Sequence, residues 1–112
     1  MATTCEWAGQ SGQKYGYHVY DLRFAFSPKQ DGNYIFTKIV NNTWIPIYIG
    51  EGDLQDRTSS HISNGCVAGK GATHIHAHVN KSAPARKAEE SDLLAGHPKA
   101  YVPAGCNVRL GG

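Results

Sequence analysis

The sequence predicts an α+β fold in which short strands form a small antiparallel sheet flanked by helices. Two observations carry this. Four stretches, at 15–26, 33–40, 44–49 and 72–80, are rich in aromatic and branched residues, and the first and last alternate strictly. That period belongs to strands rather than helices. Two further stretches, 53–64 and 82–95, open on a capping residue and run into Gly, as helices do at their ends.

Composition sets the outer limits. The chain has 112 residues, 40% hydrophobic and 18% charged, which fits one globular core and not two. No apolar run is long enough to span a bilayer, so no membrane partner is expected. The opening MATTCEWAGQSGQ lacks a basic region followed by an apolar core and is read as carrying no signal peptide. A formal net charge of +2 permits nucleic-acid binding without demanding it. Cys5, Cys66 and Cys106 are odd in number and lack metal-ligand spacing. They are expected to be reduced thiols of a cytoplasmic protein.

Residues 1–14 read as a loose lead-in in which Trp7 is the one docking residue, and residues 15–112 as a single domain. In YGYHVYDLRFAF (15–26), His18, Tyr20, Leu22, Phe24 and Phe26 share one parity, the pattern of a half-buried strand face. Pro28 and Asp31-Gly32 make a turn. NYIFTKIV (33–40) is a second strand and WIPIYI (44–49) a third. Pro46 in that run has no N–H and belongs at an edge or an unbonded position. If residues 41–43 form a three-residue loop, Val40 faces Trp44 and Phe36 faces Tyr48, and Tyr34 and Tyr48 become diagonal neighbours on one face. A two-residue loop puts the tyrosines on opposite faces. The three-residue loop is the expectation.

Asp53 caps the first helix, which ends at Asn64-Gly65. ATHIHAHVN (72–80) is a fourth strand, with Ile75, Ala77 and Val79 on an apolar face and His74, His76 and His78 on a polar one. His74 and His78, four residues apart on a strand, are about 13 Å apart, too far to share one ion. Ser82 caps the second helix, which Gly96 and Pro98 end. Glu90 sits near that helix's buried side, where an ion pair with Arg86 four residues back is the plain structural reading. The tail from His97 reads as loop.

The chemistry concentrates in YIGEGDLQDRTSSH (48–61). Gly50 suits a sharp strand-to-helix turn. Arg57 and His61, four residues apart on a helix, share a face at about 6 Å. A tyrosine, a guanidinium and an imidazole converging on one pocket can hold a phosphate and move a proton.

The order Gly32-Asn33-Tyr34, Tyr48-Ile49-Gly50, Arg57, His61, Glu90-Ser91-Asp92-Leu93-Leu94 and a late Asn107 resembles the GIY-YIG nuclease family over residues 32–107. The resemblance implies a sheet of three core antiparallel strands, to which 15–26 adds an extra N-terminal strand. It also implies hydrolysis of DNA phosphodiester bonds with one Mg²⁺ or Mn²⁺ held by Glu90. Arg57 would stabilise phosphoryl charge, and Tyr34 would act as general base assisted by Tyr48 or His61. Asn107 would position backbone or water. The substrate strandedness is left open.

Four features depart from the family pattern. Asn33 replaces an aliphatic residue, Tyr48 to Arg57 is one residue short, Glu51 stands where many members carry a basic residue, and Asn107 comes late. These leave two other readings in play. One is a catalytically inactive nucleic-acid-binding module of the same fold. The other is a metal-binding protein using His74, His76 and His78.

Overall fold

A computed structural model describes residues 4–108. The elements run β1 (Thr4–Ala8), β2 (Lys14–Asp21), β3 (Asp31–Val40), β4 (Thr43–Asp53), α1 (Leu54–Asn64), α2 (Cys66–Gly69), β5 (His74–Val79) and α3 (Ala83–Gly96). A single 3-10 turn, Pro98–Ala100, follows. The fold is α+β: one antiparallel sheet of five strands in the order β1-β2-β5-β3-β4, with three helices. Among the described residues no helix is long and apolar enough to cross a membrane.

Two expectations about architecture are corrected. The sheet does not have three core strands and one addition, because β5 sits in the middle, paired with β2 on one side and β3 on the other. Residues 4–14 are not a loose lead-in. Thr4–Ala8 pairs with β2, Trp7 opposite Tyr15, and Asp92 of α3 fixes the turn by accepting from Ser11 N at 2.8 Å and Ser11 Oγ at 2.6 Å. Tyr15 donates its hydroxyl to the same carboxylate at 2.8 Å, and burial with this bond pushes its phenol up to about 12.

Both faces of the sheet are covered, so it has two cores. Tyr34, Phe36, Ile75 and Ala77 meet Leu54 of α1 and Val67 of α2 on one face. Trp7, Tyr17, Ile35 and Ile49 meet Leu93 of α3 on the other. We call these the α1 face and the α3 face. Burying each Ile, Leu, Val or Phe among them contributes about 1.5–3 kcal/mol. Two more corrections follow. On β2 the fully buried residue is Tyr17, on the parity opposite to the expected one, while His18 is exposed. The histidines of β5 do not form an open polar face, because α3 and the two tryptophans cover them and His76 is fully buried.

The hairpin register is reached by an unexpected route. Its loop has two residues, Asn41 and Asn42, with φ of 51° and 62°, and Val40 pairs with Thr43. Asparagine tolerates the left-handed backbone that this turn needs twice, and the turn's twist matches that of the strands. Such a loop alone would put Tyr34 and Tyr48 on opposite faces. A bulge restores the expected pairing: Thr37 is opposite Pro46 and Phe36 opposite Tyr48, leaving Ile47 as the extra residue. The expected Phe36–Tyr48 partnership is present; the expected three-residue loop and Val40–Trp44 partnership are not.

The edge beyond β4 is occupied by the tail. Cys106 N donates to Ile47 O at 2.8 Å. The Asn107 side chain accepts from Ile49 N at 2.9 Å and donates to Ile49 O at 3.0 Å, as a neighbouring strand would. Cys66 and Cys106 are joined in a disulfide, so the expectation of three reduced thiols fails for this pair. Cys5 alone is free.

The helix ends follow the sequence. Asp53 accepts from Asp56 N at 2.9 Å, Ser82 accepts from Ala85 N at 3.3 Å, and Gly65 ends α1 at φ 91°.

Candidate active site

Four of the expected residues meet on the α1 face. The register makes Tyr34 and Tyr48 diagonal neighbours, with ring centres 6.0 Å apart. Gly50 lies opposite Tyr34. Its part is not the expected sharp turn, since β4 continues to Asp53. A Cβ on Gly50 would come within 2.5 Å of the Tyr34 ring and hydroxyl, so the missing side chain gives the phenol its place. The Asp53 cap starts α1 at once, and its i, i+4 face turns Arg57 and His61 back over the tyrosines. His61 Nε2 lies 3.0 Å from Tyr34 Oη, and its ring is centred 4.0 Å from that of Tyr48.

The electrostatics order these groups. Burial pushes both phenols up, with the Arg57 guanidinium pulling against it. A charged Tyr48 raises Tyr34, whereas the Tyr34 hydroxyl favours ionised Tyr48. The two phenols therefore oppose joint ionisation, and the Arg57 charge favours a phenolate at either. Burial, and then the charge of Arg57, lowers His61 from its ordinary value, which favours the neutral imidazole, whose Nε2 in the Nδ1-protonated tautomer accepts a hydrogen bond from the Tyr34 hydroxyl.

A cavity of about 1250 Å³ opens beside this group. Tyr48 and His61 line one side, Glu90 and Leu94 of α3 another, and Cys106 and Asn107 of the tail close the edge. Tyr34, only 1% exposed, is not part of the lining. Glu90 reaches the cavity from α3, around the β4 edge. The expected ion pair with Arg86 is absent, because Arg86 Nε donates to Glu51 Oε1 at 2.9 Å and Nη1 to Asn80 O at 3.0 Å. Among the described residues Glu90 has no hydrogen bond or ion pair. Burial and then the charge of Glu51 raise its carboxyl, while Arg57 and Lys87 lower it. Glu51 itself is turned to Arg86 on the α3 face. Asn107, 6% exposed, is spent on the β4 backbone.

The α3 face holds a second polar set that the sequence reading missed. Tyr17 Oη donates to Glu89 Oε2 at 2.5 Å, and His78 Nε2 meets the same oxygen at 2.8 Å. Trp7 Nε1 donates to His76 Nδ1 at 2.9 Å, and among the described residues the buried His76 Nε2 has no hydrogen-bond partner. The three β5 histidines thus take separate partners: Thr73 for His74, Trp7 for His76 and Glu89 for His78. Among the described residues no group of three His, Cys, Asp or Glu side chains is arranged to hold a metal ion. The parity of Tyr17 with Tyr15 was the one available signal.

No protein-family model, curated protein or solved structure matches the chain.

Proposed function

We propose that the chain is a metal-dependent endonuclease that hydrolyses DNA phosphodiester bonds in this cavity. The observation that carries the reading is the opposition across it: Tyr48, backed by Tyr34, His61 and Arg57, on one side, and the half-buried, unpartnered Glu90 on the other. The order of motifs resembling GIY-YIG nucleases supports the same assignment.

A divalent cation fits Glu90. A carboxylate that is costly to ionise and has no partner among the described residues gains most from a hard cation, whose other ligands are water and phosphate oxygen. When bound there, the ion's contribution is charge stabilisation at the leaving 3′ oxygen. The Arg57 guanidinium, exposed above the phenols, faces the phosphoryl oxygens and offsets their developing charge.

The general base is reassigned from Tyr34 to Tyr48 in this reading. Tyr48 borders the cavity and Tyr34 does not, so the Tyr48 oxygen takes the proton of the attacking water. Tyr34 donates toward Tyr48 or His61 Nε2 and holds that charge. Asn107 fixes the strand that carries Tyr48. Glu51, held by Arg86, is kept from adding its repulsion at the phosphate.

The test is incubation of the protein with Mg²⁺ or Mn²⁺ and labelled single- and double-stranded DNA. Cleavage is expected to vanish in Tyr48→Phe and Arg57→Ala, and to fall less in Tyr34→Phe. Equal losses in the two tyrosine variants would return the base to Tyr34. Metal-independent binding without cutting of either DNA would establish the binding-module reading instead.

A further inference from the structure

The tail reaches the site through one covalent bond. Cys66 on α2 and Cys106 on the tail both border the cavity, and both are partly exposed to it. The next residue, Asn107, holds Ile49 by its N–H and its carbonyl, and Cys106 N holds Ile47. Tyr48 lies between these two anchored residues. Among the described residues no strand flanks β4 on that side, so the tail supplies the restraint that an inner strand would have from a neighbour. The bond joins cysteines 40 residues apart, a span that includes β5 and α3. It thus ties the tail to the helices of the α1 face.

We propose that Cys66–Cys106 is a reducible positioning bond for Tyr48, acting through Asn107. Closed, it keeps the Asn107 amide on Ile49 and fixes the β4 segment that presents the phenol. A dithiol reductant opens it: two electrons and two protons pass to the cysteines, giving two thiols, and the reductant becomes a disulfide. The Asn107 amide then competes with water for the Ile49 backbone at an exposed edge, and Tyr48 loses its fixed direction. Both sulfurs border the cavity, within reach of a small dithiol. Lys70 Nζ, which donates to Pro103 O at 2.6 Å, keeps the tail near the body when the bond is open, so closure is reversible. The predicted change in cleavage rests on the nuclease reading of the cavity; the predicted change in β4 does not.

The experiment compares the oxidised full chain with the same chain reduced by a dithiol. Thiol titration is expected to rise from the one free cysteine, Cys5, to all three of the chain. Amide exchange at Ile49 is expected to speed up about tenfold or more on reduction, while β2 and β5 stay unchanged. The kcat for DNA cleavage should fall about tenfold with KM nearly constant, because the defect is in orientation. Asn107→Leu in the oxidised protein should reproduce the fast Ile49 exchange. Equal Ile49 exchange in the two redox states overturns the proposal, and so does undiminished cleavage by the reduced form of an active enzyme. Faster exchange in a protein that cuts no DNA in either state supports the positioning bond and removes the nuclease reading.

Discussion

The two faces of the sheet carry similar side chains in opposite circumstances. On the α3 face, Tyr17 and His78 converge on one Glu89 oxygen under a helix, with Glu89 only 5% exposed. On the α1 face, Tyr34 and Tyr48 meet His61 beside a cavity, with Glu90 across it. Glu89 and Glu90 are consecutive on α3 and point about 100° apart. The first has two partners and no access; the second has access and, among the described residues, no partner. Residue type therefore does not separate structure from chemistry in this protein. Compensation does: a carboxylate whose charge is met by its own fold holds the fold, and one left uncompensated at a cavity is free for a ligand.

This contrast breaks most visibly at Trp7. Its indole lies in the α3-face core and supplies the donor to His76. Trp7→Ala should cost about 3–5 kcal/mol, measured by urea unfolding, and should loosen β1 from the sheet. A loss below about 1 kcal/mol would mean that β1 is peripheral after all.

Glu89→Ala comes next. It strands the Tyr17 hydroxyl and the His78 imidazole, and should cost roughly 3 kcal/mol. A similar cost for Glu90→Ala would erase the distinction between the two carboxylates.

Acid should act on the α3 face through His76. Burial, with the charge of His74, lowers its imidazole from 6.5 to about 4. The folded state refuses a proton that the unfolded chain accepts, so this contribution is complete above pH 6.5 and is lost as pH falls toward 4. Its size is about 3 kcal/mol. His78 has the opposite sign. Its bond to Glu89 raises it, so its contribution is complete below 6.5 and fades as pH rises through the raised value. Unfolding free energies of the wild type and His76→Phe from pH 7 to pH 4 should diverge in slope. Parallel curves would sink the assignment to His76.

The smallest stability effects are expected on the α1 face, where the proposed chemistry lies. Arg57→Ala and Glu90→Gln should each move stability by less than about 0.5 kcal/mol. Glu90→Gln should also abolish any rise in melting temperature given by Mn²⁺, because the charged oxygen ligand is gone while the shape is kept. A metal-dependent rise that survives in Glu90→Gln would place the cation elsewhere.

Much of this was legible in the chain. Alternation located β5, aromatic and branched content located β3 and β4, and Asp53, Gly65 and Ser82 marked the helix ends, because caps and strand composition are local properties. The i, i+4 spacing of Arg57 and His61 gave their shared face. What escaped was non-local. The Asn41-Asn42 turn and the bulge at Ile47 each reverse the facing of Tyr48, and only their combination returns it to Tyr34. β1 is a short stretch beside Gly9 whose strand character comes from β2 and Asp92. A Cα separation of 6.2 Å between Cys66 and Cys106 is not a quantity that a 40-residue separation reveals. Tyr17 and Glu89 looked ordinary because a satisfied buried polar group has no sequence signature of its own.

The placement of β5 between β2 and β3 also governs how the chain is born. Of the five strands β1 and β2 are made before the others and can close their own hairpin, but their partner in the sheet begins only at His74. β3 and β4 zip locally in the meantime. The two hairpins must therefore wait as separate pieces, each with an unsatisfied edge, until one late strand enters between them and bonds to both. Nascent chains stalled before His74 should bind holdase chaperones through those edges, and release should coincide with the emergence of β5. The histidine strand is the keystone of synthesis, whatever the cavity on the other side of the sheet does.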